Sequence, residues 1–161
     1  NEESMKRELE TYLEELESEV FLDYPVGRSK PPNNMYSISE LKRILNYDCV
    51  KYLAISNVES SEDIMDFVSL FSNVTIVPKI ESKKGIENLK EISSALPQKK
   101  IFMLDHDDLY SDLISKGVSS NDFFSYIDTL DEFCMINSIS LLRTRGVIFS
   151  DSDTYNYKNE N

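Results

Sequence analysis

Two short apolar runs, Val74-Thr75-Ile76-Val77 and Ile101-Phe102-Met103-Leu104, constrain this chain more than any other feature. Each is bounded by breakers and too short for a helix, as buried strands of a parallel sheet are. Between them, after Gly85, Ile86, Leu89 and Ile92 recur at helical spacing, and Pro97 closes the stretch. The unit reads as β-α-β. Both runs end in charge, with Lys79 and Glu81 after the first and Asp105, His106, Asp107 and Asp108 after the second. In α/β architectures ligands bind at that C-terminal edge of the sheet.

The rest of the chain repeats the alternation. Residues 3–18 predict an amphipathic helix with Met5, Leu9, Tyr12, Leu13 and Leu16 on one face. A strand follows at Val20-Phe21-Leu22-Asp23, then an irregular stretch over residues 24–34 whose Pro25, Gly27, Pro31 and Pro32 exclude regular structure. Ser37 or Ser39 caps a helix that turns Leu41, Ile44 and Leu45 inward, and residues 50–55 form the next strand. A polar turn, residues 56–63, leads into a helix carrying Ile64, Met65, Phe67, Val68 and Phe71. Beyond residue 109 a helix around residues 111–116 breaks at Gly117. A second runs through Phe123, Phe124, Ile127, Leu130 and Phe133. Ile139-Ser140-Leu141-Leu142 reads as a strand and Val147-Ile148-Phe149 as a short extra one.

The predicted fold is α/β, with consecutive βα units forming a partial or reduced barrel of about five parallel strands. A complete eight-fold barrel takes roughly 250 residues, and this chain has 161. Residues 1–149 read as one domain and residues 150–161 as a polar tail. Lys and Arg number 17 against 29 Asp and Glu, a net charge of −12 that excludes nucleic-acid backbones and anionic membranes as partners. No stretch has the apolar length of a membrane span. Cys49 and Cys134 lack CxxC spacing and read as reduced core residues of a cytoplasmic protein.

Right-handed crossovers put all strand C-termini on one side, so Asp23, Arg28, Lys30, Asn57, Lys79, Glu81, Asp108 and Arg143 are expected on one rim. Arg28 and Lys30 suit an anion, His106 suits acid/base work at the rim, and Arg28, Asn57 and Arg143 are candidates for holding substrate. An open-sided sheet also exposes apolar edges, which predicts a homo-oligomer or a place within a larger chain.

Four segments carry a resemblance. KYLAISNVESSEDIMDF from residue 51 and VTIVPKIESKKGIENLKEI from residue 74 resemble the "SFV.S.ED" and "KIE...G..N..EI" strands of the pyruvate kinase barrel. MLDHDDL from residue 103 is similar to that family's "MVARGDLG", and LDYPVGRSK from residue 22 is a looser likeness of "LDLPGPKIR". The same rim pattern looks like the citrate lyase β-subunit and 2-keto-acid aldolase group of the phosphoenolpyruvate/pyruvate barrel superfamily.

By matched position, the resemblance implies that Glu81 and Asp108 hold Mg²⁺ or Mn²⁺, whose shell is completed by a small keto acid or phosphoenolpyruvate. It puts Lys79 beside the developing enolate or phosphoryl charge, Lys30 at an active-site arginine position, and Asp23 among the metal residues at a monovalent-cation position. The implied activity is phosphotransfer, or lyase or aldolase chemistry. Departures imply an alternative, a catalytically degenerate domain serving binding, regulation or assembly. His106-Asp107-Asp108 replaces Arg-Gly-Asp, lysine replaces the arginine fork at residue 30, and the loop before residue 41 has no room for the family's lid domain.

Overall fold

A computed structural model describes residues 2–26, 36–97 and 99–144. Arg28 and Lys30, the expected strand at residues 147–149 and the tail at residues 150–161 lie outside the described residues. In chain order the elements are α1 (Glu2–Glu15), β1 (Val20–Tyr24), α2 (Ile38–Ile44), β2 (Val50–Ile55), α3 (Glu62–Leu70), β3 (Thr75–Ile80), α4 (Lys83–Glu87), α5 (Leu89–Ala95), β4 (Ile101–Leu104), α6 (His106–Ser115), a 3₁₀ turn (Ser120–Asp122), α7 (Phe123–Ile136) and β5 (Ser140–Arg143). The described residues thus form an α/β fold whose five strands are all parallel and lie in the order β1-β2-β3-β4-β5.

That strand order fixes the two faces. Right-handed crossovers between adjacent strands put every helix on the same side of the sheet. The packing agrees. Leu22, Leu53, Ile55, Ile76, Ile80, Phe102 and Leu104 join the buried residues of the helices in one apolar core. The alternate positions Ala54, Val77 and Ile101, with Tyr52 and Met103 beside them, form a separate small cluster on the other face. That second face is the one a closed barrel would enclose, and Phe21 and Leu142 remain substantially exposed on it.

Local chemistry accounts for the elements. Ser37 and Glu40 form a reciprocal cap at α2: the Glu40 N–H donates to Ser37 Oγ at 3.3 Å, and the Ser37 N–H donates to Glu40 Oε2 at 2.8 Å. Lys6 Nζ adds an ion pair to Glu40 Oε1 at 2.9 Å, which ties α1 to α2. α1 buries a narrower stripe than its pattern predicts. Leu13 is buried, whereas Met5 and Tyr12 are exposed.

Three local expectations are corrected. The first core strand does not stop before Pro78 but continues to Ile80, so Lys79 lies inside β3. Proline lacks an N–H, and the pairing of β3 with β4 begins just past it, at Lys79↔Met103. The expected single helix from residue 85 is two, α4 and α5, with Asn88 between them. The helix expected near residue 111 starts at His106, because Asp105 caps it by accepting from the Asp107 and Asp108 N–H groups. Cys49 and Cys134 are both free thiols, and burial pushes Cys134 up to about 11.

Candidate functional site

Register brings the chemistry together. On the face turned away from the helices, Asp23 pairs with Ala54 and Ala54 with Val77, while Lys79 pairs with Met103 one step further along. Strand alternation carries the same face forward to Ser56, Glu81 and Asp105. Lys79 and Glu81 are thus two residues apart on one side of the backbone. Lys79 Nζ lies 2.8 Å from Glu81 Oε1 and 3.5 Å from Asp23 Oδ2. The Lys79 and Glu81 side chains are buried, and that of Asp23 is about half exposed.

The turn after β2 sets the orientation of Glu81. Asn57 takes a left-handed backbone conformation, φ 54°, which asparagine tolerates better than most residues. Its N–H donates to Glu81 Oε2 at 2.8 Å, while its side-chain amide donates to the Val26 carbonyl at 3.0 Å. The turn itself is fastened. The Val58 N–H donates to the Lys79 carbonyl at 3.3 Å. Asp63 Oδ2 accepts from the Glu59 and Ser60 N–H groups at 2.8 Å each. Asn88 Nδ2 donates to the Glu59 carbonyl at 2.7 Å, and the Ser61 N–H donates to Glu91 Oε1 at 2.9 Å.

Burial raises the Glu81 carboxyl above the usual carboxylate range, with Lys79 and the Asn57 N–H pulling the other way. Burial opposes the charge on Lys79 too, but Glu81 and Asp23 more than offset it, and its pKa is raised. Glu81 Oε1 thus faces the Lys79 ammonium at 2.8 Å, while Oε2 is held by the Asn57 N–H. Ser56 Oγ, buried on the same strip, has no hydrogen-bond partner among the described residues.

Asp105 and Asp108 complete the corner. One oxygen from each of Glu81, Asp105 and Asp108 can be chosen so that all three lie within 4.8 Å of one another. Carboxylate oxygens are hard ligands of the kind that could hold a divalent cation such as Mg²⁺ or Mn²⁺. Glu81 is the buried member of that group, with Oε1 beside the Lys79 ammonium and Oε2 held by the Asn57 N–H.

The other expected residues are placed as follows. Asp23 lies beside Lys79 and outside the three-carboxylate group, so it serves the ammonium. His106 is buried as the first residue of α6, with Nδ1 3.3 Å from Thr144 Oγ1. Burial and the nearby Arg143 lower its pKa, which keeps the ring neutral at pH 7. Arg143 pairs with Leu104, so it points to the helix side, where it forms an ion pair with Asp131 of α7. Asn57 acts on Glu81 through its backbone. Sequence reasoning missed Asp105 and Ser56 as members of the site. The signal for Asp105 was its parity with Met103, two residues before it on the open face.

No protein-family profile matches the chain, and no curated protein matches it. Among solved structures the chain is similar to "Crystal Structure of RipC from Yersinia pestis", at 15% identity and a TM-score of 0.53. The match covers 84% of this chain and 79% of that one, a likeness of fold. No helix among the described residues is long and apolar enough to cross a membrane.

Proposed function

We propose that this chain is a divalent-metal-dependent enzyme of the phosphoenolpyruvate/pyruvate type, acting on a small keto acid or phosphoenolpyruvate in the cytoplasm. The supporting observation is the meeting of Glu81, Asp105 and Asp108 within 4.8 Å, beside the buried ammonium of Lys79. Glu81 and Asp108 would hold Mg²⁺ or Mn²⁺, which when bound supplies a Lewis acid beside the keto oxygen and favours the enolate. Lys79 sets a fixed positive charge where the substrate becomes more negative, in a site with little water to screen it. The Asn57 N–H holds Glu81 in place, and Asp23 offers Lys79 a second counter-charge. His106, neutral and hydrogen-bonded toward Thr144, is the group at the rim able to carry a proton. Lyase or aldolase chemistry is favoured over ATP-forming phosphotransfer, because Asp107 stands where the kinases place glycine.

The test is thermal unfolding with Mg²⁺ or Mn²⁺, with and without pyruvate or oxalate. At a hundredfold excess over Kd a bound ligand adds about 2.7 kcal/mol of stability. We expect a rise in Tm that vanishes in Glu81→Gln. No response to any divalent ion, alone or with pyruvate, would reject the enzyme reading.

One observation favours a second reading, an assembly or regulatory module. The open face of the sheet carries Phe21, Tyr52, Met103 and Leu142, and among the described residues no helix lies over it and neither edge strand has a further neighbour. A second copy, or further strands of a larger chain, would cover it. Mass in solution tests this: a dimer supports the module, and a monomer at micromolar concentration counts against self-assembly.

A further inference from the structure

We infer that Ser56 is a substrate-binding residue, whose hydroxyl donates, together with the Lys79 ammonium, to the keto oxygen that gains charge in the enolate. The inference rests on the keto-acid reading above and deepens it, because that reading gives this oxygen one protein group, Lys79.

Register puts the two donors side by side. Ala54 pairs with Val77 and Ile55 with Pro78, so the next step along the two strands sets Ser56 against Lys79. The backbone keeps its extended course to that point, since the Ser56 N–H donates to the Tyr24 carbonyl at 3.4 Å and prolongs the ladder with β1. Side chains alternate, so Ser56 lies on the open face with Ala54 and Lys79. Neighbouring strands are about 4.8 Å apart, a spacing at which one oxygen can meet both groups.

The Ser56 hydroxyl points to a ligand because the turn around it is otherwise satisfied. The N–H groups of Asn57, Val58, Glu59, Ser60 and Ser61 each donate to an acceptor of the fold. Ser56 is 2% exposed, yet its Oγ has no hydrogen-bond partner among the described residues. A buried hydroxyl left bare is costly, and an acceptor brought in from outside removes that cost. Lys79 has capacity to share the same acceptor: an ammonium carries three donors, and its two anionic neighbours are Glu81 at 2.8 Å and Asp23 at 3.5 Å. Charge selects the oxygen. With Asp23, Glu81, Asp105 and Asp108 around one ammonium, a free anionic oxygen is repelled, whereas a ketone oxygen enters uncharged. Donors already fixed at that oxygen then stabilise the charge as it develops.

The experiment is calorimetric titration of the 161-residue chain and of Ser56→Ala with pyruvate and with oxalate, each in excess Mn²⁺, alongside Mn²⁺ alone and the ligand-free Tm. Oxalate bears charge on the oxygen that in pyruvate is a neutral ketone, and hydrogen bonds to charged groups are the stronger ones. In Ser56→Ala we expect oxalate to bind about tenfold or more weaker and pyruvate about threefold weaker. Mn²⁺ binding should be unchanged, and the ligand-free Tm unchanged or higher. Equal affinities in the two proteins, or equal losses for the two ligands, overturn the assignment of Ser56 to the keto oxygen and leave the keto-acid reading standing. Weaker binding of Mn²⁺ alone overturns it too, since the hydroxyl would then serve the ion. So does a lower ligand-free Tm, which would show that an ordered water or a group of the fold already bonds the hydroxyl. Failure of both pyruvate and oxalate to bind the native chain overturns the inference and the keto-acid reading together.

Discussion

Lys79 and Glu81 stand two residues apart on one face of β3, with Nζ 2.8 Å from Oε1 and both side chains buried. A buried ion pair is tolerated because each charge answers the other, so removing one partner is worse than removing both. Lys79→Met leaves the buried Glu81 carboxyl without its cation, with the Asn57 N–H as its remaining hydrogen-bond donor. We expect a loss of about 3 kcal/mol on urea unfolding. The double variant Lys79→Met/Glu81→Gln should recover more than half of it. A double variant whose loss equals the sum of the losses in Lys79→Met and Glu81→Gln would show that the pair is not coupled.

Gly85 sets how closely α4 approaches the turn that carries Asn57. A Cβ there would lie 2.8 Å from the Val58 carbonyl oxygen, a backbone atom that cannot swing aside. Gly85→Ala should therefore cost about 1–3 kcal/mol despite alanine's better helix propensity. It should also weaken Mn²⁺ binding by displacing the Asn57 N–H from Glu81. A stabilised Gly85→Ala protein would contradict this packing.

Ser56→Ala separates stability from binding. The hydroxyl is buried without a partner, so its removal should leave the fold unchanged or stabilise it by up to about 1 kcal/mol. If the hydroxyl serves the site beside Lys79, pyruvate or oxalate binding weakens in the same variant. A clear drop in Tm would mean that Ser56 has a structural bond.

The Glu40 carboxyl is held down to about 2, chiefly by its hydrogen bonds with Ser37 and then by Lys6. A carboxylate with a lowered folded pKa stabilises the fold above its unfolded value, and that contribution fades as pH falls toward the folded value. The Tm difference between the native chain and Glu40→Gln should be full at pH 6, shrink below about pH 4.5 and be nearly gone at about pH 2. A difference independent of pH would assign the effect to shape alone.

The alternation of strands and helices was legible because strands buried in a parallel sheet leave short unbroken apolar runs, and Val50 to Ile55 and Ile101 to Leu104 were found to within a residue. Lys79, Glu81 and Asp108 were legible through their places after those runs. What sequence could not supply was parity. Ending the strand at Pro78 hid the fact that Lys79 is part of β3, and it obscured which side chains share its face. Asp105 read as one acid in a run of three because its cap on α6 appears only once the helix start is known. Arg143 looked like a rim cation, yet a single step of register turns it toward Asp131. Met5 and Tyr12 fit a helical stripe, but the width of a buried stripe depends on how many neighbours the helix has.

The strand order has a kinetic consequence. Each strand's spatial neighbours are also its neighbours along the chain, so no part of the sheet waits on a distant segment before its hydrogen bonds can form. Loop-closure entropy is met one crossover at a time, and assembly can start from any adjacent pair and spread outward. A chain wired in this way gains its core by accretion, and the corner where Glu81 meets Asp105 exists as soon as β3, β4 and the start of α6 have come together.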